Sequence, residues 1–464
     1  AGRSKPSGRA LLFLTSPFLS GEMPVGSGMS RLWSLLLLWS TAGPLGVTAC
    51  SRALFVSRNR SNVYAYRTMD WAFEFHTNLM FYPREQEMDG GCGGEHHDLC
   101  KTWTSKYWSL VATVNDWASQ QISNFTGSQF DWMNDGAADG INEKGLAVHL
   151  LYLQTTEYAT YEPSRDAVSY LRWTRYLLDM CASASEARDV MRTSEIVIAG
   201  VGIQTPQGTE VLGLHIAVED ATGDSAIFEI IGGKVHIWSK ESSPERDLLI
   251  MTNDPPMEAQ LSFRNTLIAY NESDGGARLK CDEVDKADAG SDYPNRCLPG
   301  DVNSRDRFTR LSWYWHWVSE AESDGSPKDG DTLLADLRSA ILSVAVPQGA
   351  PDMDRWERSV YPTWWVSGVD FQRKLYVWQF SRHLSGFRVN LTQLSGFKSD
   401  TPLYLPACET HAIGDVAHLF ARPPASRLKD STPVSEATRL DASQGSLRGS
   451  RLQATSADPQ GSIP

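Results

Sequence analysis

The chain is short of positive charge, and beyond residue 49 it has no long apolar run. Its 464 residues include 43 Lys and Arg against 56 Asp and Glu, which gives a formal net charge of −13. Nucleic acids and anionic membrane surfaces are bound by clustered Lys and Arg, so the sequence argues against both kinds of partner. Because no stretch of about 18 continuous apolar residues follows residue 49, no membrane-spanning helix is expected there.

The sequence also lacks the short motifs of several large enzyme classes. Neither a glycine-rich phosphate-binding loop nor the G-x-S-x-G turn of serine hydrolases occurs, and we find no internal repeat. Glu95, His96, His97 and Asp98 are residue types that bind metals. Adjacent residues on a short loop rarely converge on one ion without further ligands, so we expect neither a metal site nor another cofactor.

A secretory leader is indicated by residues 29–49, MSRLWSLLLLWSTAGPLGVTA. It contains one basic residue, an apolar run from Leu32 to Trp39, a Gly-Pro break and a small residue at the expected cut. This is the pattern of a cleaved signal peptide, and the run is too short to span a bilayer. Residues 1–28 do not begin with Met and are interpreted as an upstream extension. We therefore exclude residues 1–49 from the fold and expect a secreted or periplasmic protein.

Cleavage after Ala49 would make Cys50 the first residue of the mature chain. A cysteine at a free N-terminus carries a thiol nucleophile and an α-amine base on one residue. The amine has an ordinary pKa of about 7.7–8.0, so it can accept the thiol proton at neutral pH. Residues 47–50 also resemble a bacterial lipobox, which would place a lipid on the thiol and block the amine. A lipoprotein usually continues with a flexible polar tether, whereas residues 51–56 are typical of a strand, which favours the free cysteine.

The cysteine count supports the same interpretation of Cys50. Of seven cysteines, six remain when Cys50 is set aside, and an even number in an exported chain suits disulfides. The pairs Cys92 with Cys100 and Cys281 with Cys297 would close short loops. Arithmetic alone then leaves Cys181 with Cys408.

A β-hairpin is predicted at the start of the mature chain. Two β-like runs, 51–57 and 63–71, flank the polar turn 58–62. If the turn is centred near Arg60, antiparallel pairing places Cys50 opposite Asp70, with Arg67 three residues along at ~3.4 Å each. We therefore expect this hairpin to bring a carboxylate and a guanidinium to the new N-terminus, where Arg67 would favour the thiolate and Asp70 would orient the amine.

Blocks of strands alternate with blocks of helices along the rest of the chain, which favours an α+β fold over a doubly wound parallel sheet. We predict one domain over residues 50–422 and a disordered tail over 423–464, which is rich in Ser, Arg, Pro and Gln. Helical patterns occupy 166–192, 307–322 and 332–344. Further strands are predicted at 106–114, 145–153, 195–203, 210–218, 225–231, 234–238, 363–369 and 374–380.

Several separated blocks carry a resemblance to a known family. They are CSRALFV, YRTMDW, NLMFYPRE, TSKYWSLVA, DGINEKGLAVHLLYL, MTNDPP and LPGDVNSRDRF, in this order. From Cys50 to about Phe380 the chain resembles the choloylglycine hydrolase and penicillin V acylase family of N-terminal nucleophile hydrolases. It is most similar to the penicillin V acylase-like branch of Gram-negative bacteria. The resemblance implies a four-layer αββα sandwich, a hydrolase of linear amides that needs no cofactor, a small-molecule N-acyl amide as substrate, and a homotetramer.

The resemblance also assigns roles to individual residues. It implies that Cys50 is the nucleophile and base, with Arg67 and Asp70 as its companions. Asn253 matches the oxyanion-hole asparagine, whose side-chain amide would donate alongside a backbone N–H at Tyr152. Arg307 matches the second active-site arginine.

The acyl side of the predicted pocket is aromatic. Tyr152 stands where bile salt hydrolases have an asparagine, and Trp71 matches a tryptophan that lines the acyl pocket in the Gram-negative branch. These residues favour an apolar or aromatic acyl group. Bile salts, acyl-homoserine lactones and N-acylethanolamides remain alternative substrates, and a lipid-anchored, non-catalytic binding protein remains an alternative of another class.

Overall fold

The computed structural model describes residues 50–71, 74–92, 100–114, 136–159, 166–193, 196–205, 208–271, 273, 276–280, 297–322, 330–352, 357–358 and 361–422. The predicted leader, the predicted tail and the cluster of Glu95, His96, His97 and Asp98 lie outside these residues. Within them, no helix is both long and apolar enough to cross a membrane.

The secondary structure consists of strands and helices in alternating blocks. The strands are β1 Ser51–Val56, β2 Val63–Asp70, β3 Leu79–Tyr82, β4 Glu87–Asp89, β5 Thr102–Thr104, β6 Ser109–Thr113, β7 Ala137–Asn142, β8 Ala147–Tyr152, β9 Asp166–Ser169, β10 Ile196–Ala199, β11 Ile203–Thr205, β12 Gly208–Glu210, β13 Leu214–Glu219, β14 Ser225–Ile231, β15 Lys234–Ser239, β16 Ile250–Met251, β17 Ile268–Tyr270, β18 Ala277–Leu279, β19 Pro351–Asp352, β20 Glu357–Arg358, β21 Thr363–Asp370, β22 Leu375–Phe380, β23 Phe387–Asn390, β24 Leu403–Leu405 and β25 Gly414–Asp415. The α-helices are α1 Trp173–Met180, α2 Ala184–Thr193, α3 Met257–Leu267, α4 Ser304–Glu322, α5 Gly330–Leu342 and α6 Leu391–Leu394.

Two large sheets form the centre of the fold. The first has seven strands in the order β16-β1-β2-β21-β22-β23-β25, and the second has eight in the order β15-β14-β13-β8-β7-β6-β3-β24. The central strands β1, β2, β8 and β21 are buried along almost their whole length. Strands covered on both faces carry apolar residues on both faces, and this is why their sequences show continuous apolar runs rather than strict alternation.

Helices cover the outer face of each sheet, so the fold has four layers. Helices α4 and α5 pack on β1 and β2 of the first sheet, while α1 and α2 pack on the strands β7, β8, β13, β14 and β15 of the second. One apolar cluster contains inward residues of both sheets, such as Leu54, Leu151 and Ala217, and a second contains the residues between the second sheet and α1. The α+β class and the αββα sandwich predicted from the sequence are confirmed.

The helical pattern predicted over 166–192 is interrupted. Its first four residues form β9, which pairs in parallel with β10, and the backbone becomes extended again at Cys181 between α1 and α2. The prediction failed here because a buried strand that continues into an amphipathic helix gives one unbroken run of apolar positions.

The disulfides agree with the predicted pairing in one place and differ in another. Cys92 and Cys100 are joined, with their sulfurs 2.09 Å apart. Cys297 is disulfide-bonded, and its predicted partner, Cys281, lies outside the described residues. The predicted bond between Cys181 and Cys408 is wrong, because both are thiols. Cys181 lies in the apolar cluster beside α1 and Cys408 packs against the other cluster, so the two residues belong to different parts of the core.

Candidate active site

The hairpin of β1 and β2 forms as predicted, but its register differs by one residue. Ser51 pairs with Thr68 and Arg52 with Arg67, so the next pair along the hairpin sets Cys50 against Met69 rather than Asp70. Facing residues of an antiparallel pair point to the same side of the sheet, as do residues two apart on a strand. The observed register therefore places the Cys50 thiol on the same side as Arg67, and the predicted register would have separated them.

The thiol of Cys50 is buried among polar and sulfur atoms at the end of this hairpin. The residue is only 2% exposed. Its Sγ lies 3.6 Å from Nη2 of Arg67, 3.6 Å from the Asp70 carbonyl oxygen and 3.9 Å from Sδ of Met69. Burial raises the pKa of the Cys50 thiol, and the positive charge of Arg67 acts in the opposite direction. Arg67 is thus the main group that favours the thiolate in this site.

The side chain of Asp70 is fully buried and held by hydroxyl groups. Thr363 Oγ1 donates to it at 2.5 Å and Thr68 Oγ1 at 3.2 Å, while Nη1 of Arg307 lies 3.9 Å from Oδ2. Burial raises the pKa of Asp70 to about 7, although Arg307 and the two hydroxyl groups oppose it. This carboxyl can therefore exchange a proton near neutral pH.

Asn253 joins the backbone of Cys50 to the end of β8. It follows β16 at the start of a proline-rich turn and is fully buried. Its Oδ1 accepts from the backbone nitrogen of Cys50, and its Nδ2 donates to the carbonyl oxygen of Tyr152 at 2.7 Å. The sequence predicted that this amide would lie beside the backbone of Tyr152. In the structure it bonds the carbonyl group there, because a buried amide N–H requires an acceptor.

Arg307, in the first turn of α4, also contacts the backbone of Cys50 and the side chain of Asn253. Nη1 donates to the carbonyl oxygen of Cys50 at 2.8 Å and to Oγ of Ser51 at 2.6 Å, and Nη2 donates to Oδ1 of Asn253 at 3.1 Å. Its Nε donates to the carbonyl oxygen of Val302 at 2.8 Å. Burial lowers the pKa of Arg307 and Asp70 opposes that effect. The guanidinium fixes the peptide unit of the first residue of the predicted mature chain.

Aromatic side chains line one side of this site. The ring of Trp71 lies 5.9 Å from that of Tyr152 in an edge-on arrangement and 5.6 Å from that of Phe75. Trp364 Nε1 donates to the carbonyl oxygen of Trp71 at 2.8 Å, which fixes the backbone that carries the first ring. Such a wall suits a flat or apolar group.

The structure thus brings together all seven residues predicted from the sequence, and it adds others that the sequence did not reveal. Thr68 accepts from the backbone nitrogen of Ser51 at 3.0 Å, and Nη2 of Arg67 lies 3.0 Å from Sδ of Met69. Thr68 and Met69 could have been found from the YRTMDW block, which contains both. Thr363 could not, because its place beside Asp70 depends on the pairing of β2 with the distant β21.

A second buried set of charges lies between the two sheets. Arg52 of β1 donates from Nε and Nη2 to Glu219 of β13 at 3.1 and 2.5 Å. His149 of β8 lies with Nε2 2.8 Å from Oε1 of Glu219, and its Nδ1 contacts Asp139 of β7. Ser367 and Tyr376 each donate a hydroxyl to Asp139 at 2.6 Å. We call Arg52, Glu219, His149 and Asp139 the inter-sheet charge array.

No group of three or more His, Cys, Asp or Glu side chains in the described part of the chain is arranged to hold a metal ion. The site consists instead of a thiol, two guanidinium groups, a carboxyl and an amide. These groups can support attack by sulfur on a carbonyl carbon and stabilise the negative charge that develops on its oxygen.

Comparison with known proteins identifies the class. The fold is that of the N-terminal nucleophile hydrolases: it is similar to the structure of penicillin V acylase from Agrobacterium tumefaciens, with a TM-score of 0.59 and 27% identity over 81% of this chain and 98% of that one. A conjugated bile acid hydrolase from Clostridium perfringens has the same fold, with a TM-score of 0.56 and 17% identity over 78% of this chain and 99% of the other.

The sequence pattern of the linear amide C–N hydrolases, choloylglycine hydrolase family, matches residues 50–400, and the chain belongs to this family. It is also 30% identical to a penicillin V acylase of Pectobacterium atrosepticum over 378 residues, which are 79% of this chain and 87% of the relative. The protein is therefore a hydrolase of linear amides, as the sequence predicted, and its substrate class is the N-acyl amides.

Proposed function

We propose that the protein is a cysteine amidohydrolase in which Cys50, once it is the N-terminal residue, is both nucleophile and base. The observation that carries the proposal is the convergence on Cys50 of Arg67, Asp70, Asn253 and Arg307. These four come from three separate parts of the chain, namely β2, the turn after β16 and α4, and each contacts Cys50 directly or through another of the set.

The proposed reaction has two stages. The α-amine of Cys50 takes the thiol proton, and the sulfur attacks the carbonyl carbon of the amide. The tetrahedral oxyanion accepts hydrogen bonds from the Asn253 amide and the backbone N–H of Tyr152. The carbon–nitrogen bond then breaks, the α-ammonium group protonates the leaving amine, and a thioester remains on Cys50. Water, deprotonated by the α-amine, attacks the thioester, which releases the acid and restores the thiol.

The neighbouring charges support each stage. Arg67 lies close enough to Sγ to stabilise the thiolate, and ionised Asp70 would orient the α-ammonium group. Arg307 and Asn253 hold the backbone of Cys50 from two sides, so the sulfur and the amine would keep one orientation throughout turnover.

The substrate is proposed to carry an aromatic or apolar acyl group of the phenoxyacetyl kind. The packing of Trp71 against Tyr152 and Phe75 supports this choice, and so does the similarity to two penicillin V acylases. A panel that varies acyl chain and amine separately would test it. Preference for bile salts, acyl-homoserine lactones or N-acylethanolamides over phenoxyacetyl amides would replace the proposed substrate and leave the nucleophile unchanged.

We further propose that the leader is removed during export, so that Cys50 has a free amine. The burial of Cys50 supports this over a lipid anchor, because a lipid on Sγ would displace Arg67, Met69 and the Asp70 carbonyl from contact. Peptide mass spectrometry of the exported protein gives the N-terminal residue. A lipidated or uncleaved terminus would contradict the mechanism, and light scattering would test the predicted homotetramer.

The central test is Cys50→Ser in a protein whose leader has been shown to be cleaved. The hydroxyl of serine is a far weaker nucleophile near neutral pH, so turnover of a phenoxyacetyl amide should become undetectable or nearly so. Circular dichroism should show an unchanged fold, since the two side chains have similar volumes. Turnover equal to that of the unchanged protein would overturn the assignment of Cys50.

A further inference from the structure

The backbone on either side of Asn253 is held by two residues that do not touch Cys50. Asn253 must place its amide beside Tyr152 while its Oδ1 meets the backbone nitrogen of Cys50 and Nη2 of Arg307. A single buried side chain that meets three distant segments needs a fixed backbone. The two residues that supply it are Asp254 and Gln260, and we call them the Asn253 supports.

Gln260 holds the turn from the side of the helices. It lies one turn into α3 and is 1% exposed. Its Nε2 lies 2.9 Å from the carbonyl oxygen of Asn253, 3.1 Å from Oγ1 of Thr252 and 3.0 Å from Oγ of Ser304. Ser304 in turn donates to Thr252 Oγ1 at 2.9 Å and begins the helix α4. Gln260 thereby ties the backbone of Asn253 to the helix that carries Arg307.

Asp254 holds the turn from the side of the second sheet. One of its carboxylate oxygens accepts from the backbone nitrogen of Gln154 at 2.8 Å and the other from that of Thr155 at 3.2 Å. These N–H groups follow directly after Tyr152 and Leu153 at the end of β8. The residue after Asn253 is therefore fastened to the chain just beyond Tyr152, whose carbonyl Asn253 itself contacts.

Together the supports fix the distance between two parts of the predicted oxyanion hole. One part is the side chain of Asn253, which the turn carries, and the other is the backbone of Tyr152, which the second sheet carries. The two parts could not move apart without straining or breaking the two bonds of Asp254, and the backbone of Asn253 could not turn away from Arg307 without breaking the bond from Gln260 to its carbonyl oxygen. We propose that Asp254 and Gln260 are positioning residues for the oxyanion hole, an inference that rests on the proposed function.

The supports should affect one step of the reaction and not the others. They contact neither the thiol nor the aromatic wall, so formation of the thiolate and binding of the acyl group should be insensitive to their loss. A misplacement of about 1 Å in a catalytic group can cost about 100-fold in rate. Loss of a support is therefore expected to lower kcat while KM changes little.

The test compares Asp254→Ala with Asp415→Ala as a matched control. Asp415 also accepts from two backbone nitrogens, those of Asn390 and Ala417, but it lies on β25, at the opposite edge of the first sheet from β16. We expect Asp254→Ala to lose about 100-fold in kcat for a phenoxyacetyl anilide, the cost of a misplaced catalytic group, and Asp415→Ala to keep kcat. The pH profile of Cys50 alkylation by iodoacetamide should be the same in both variants.

Two conservative variants keep the test decisive if Asp254→Ala does not fold. Asp254→Asn retains one oxygen acceptor and should have an intermediate kcat. Gln260→Glu keeps the shape but loses the donor to the Asn253 carbonyl, and it should also lower kcat with little change in KM.

Three results would count against the inference. An unchanged kcat in folded Asp254→Asn and Gln260→Glu would overturn it. So would a fall in Cys50 alkylation that matches the fall in kcat, because the variants would then have disturbed the whole pocket. An unmodified protein that hydrolyses no N-acyl amide and has an unreactive Cys50 would overturn the proposed function as well.

Discussion

Two buried carboxyl groups, Asp70 and Asp139, have pKa values that are shifted in opposite directions. Both are fully buried, one on β2 of the first sheet and the other on β7 of the second. Burial raises the pKa of Asp70 to about 7. Burial also acts on Asp139, but the charge and hydrogen bond of His149, with the charge of Arg67 and the hydrogen bond of Ser367, together outweigh it and hold the pKa of that carboxyl below its ordinary value.

The difference comes from the partners of each group. Asp139 has an imidazole in contact and two hydroxyl donors at 2.6 Å. His149 itself lies between two carboxylates; burial works against its charge, but Glu219 and Asp139 raise its pKa to about 9. Asp70 has two hydroxyl donors as well, but its nearest cation in the described structure is Arg307 at 3.9 Å, beyond hydrogen-bond distance.

The comparison distinguishes buried charges that stabilise the fold, such as Asp139, from a buried charge proposed to serve catalysis, Asp70. In the inter-sheet charge array each charge meets an opposite charge in contact, so the array is stable as ions. In the site around Cys50 the charge of Asp70 is only partly compensated, and its proton can be exchanged near neutral pH. Incomplete compensation of this kind is characteristic of catalytic groups.

The largest effect is expected when the array loses its central cation. His149→Leu leaves Asp139 and Glu219 without the imidazolium between them, and breaking a buried ion pair costs about 3–5 kcal/mol in the free energy of unfolding. Urea denaturation measures the loss. A loss below about 1 kcal/mol, the size of an exposed ion pair, would mean that the array is not compensated as described.

The same array predicts how stability depends on pH. The pKa of His149 is raised from 6.5 to about 9 on folding, so its contribution is fully present below pH 6.5 and is lost as the pH rises through about 9. The unfolding free energy should fall between pH 7 and pH 10, and His149→Leu should lack this fall. Parallel pH dependence in the two proteins would assign the fall to other groups.

The corresponding change at the site is Asp70→Asn, which should affect activity rather than stability. Asparagine cannot carry the charge that orients the α-ammonium group, and a misplaced catalytic group can cost about 100-fold in rate. We expect kcat/KM to fall by about this factor while the unfolding free energy stays at or above its original value, because an incompletely compensated buried charge has been removed. A loss of stability comparable to that of His149→Leu would remove the distinction between the two carboxyl groups.

Activity should also depend on the protonation of Asp70 itself. Because its pKa is about 7 and the ionised form is the one required, kcat/KM should fall as the pH is lowered through about 7. A pH–rate profile on a phenoxyacetyl amide measures this limb. In Asp70→Asn the limb should disappear, and its persistence there would assign it to another group.

The smallest effects come from removing one hydroxyl donor at each carboxyl group. Tyr376→Phe should cost about 1.5 kcal/mol, typical of a hydrogen bond to a charged group, and should leave the pH–rate profile unchanged. Thr363→Val, which also removes an acceptor from the backbone nitrogen of Val346, should move the acid limb to higher pH because ionised Asp70 loses a donor. A shifted limb in Tyr376→Phe alone would contradict the comparison.

The sequence predicted which residues form the site better than it predicted the strand register and the long-range contacts that bring them together. Cys50, Arg67 and Asp70 lie on one hairpin, so local strand and turn signals were enough to bring them together. The register was wrong by one residue because a polar loop does not fix where pairing begins, and the hydrophobic pattern of a strand buried on both faces does not fix it either.

Local sequence patterns could not predict the site residues that come from distant parts of the chain. Asn253 and Arg307 were found through the family resemblance, since taken alone each would be interpreted as a turn or surface residue. Thr363 and the inter-sheet charge array depend on which strands become neighbours, and Gln260 depends on how α3 packs against the start of α4. In the sequence, His149 and Glu219 are polar residues within apolar strands, and nothing local indicates that they contact each other.

The burial of Cys50 also bears on the order of events in maturation. The residue is 2% exposed, and its backbone nitrogen bonds to buried Asn253. A protease that cuts before Cys50 needs an accessible, extended segment, and Cys50 itself is not accessible in the folded protein. If the leader is removed as proposed, cleavage would therefore precede packing of the two sheets, and the α-amine base would be formed before the pocket around it.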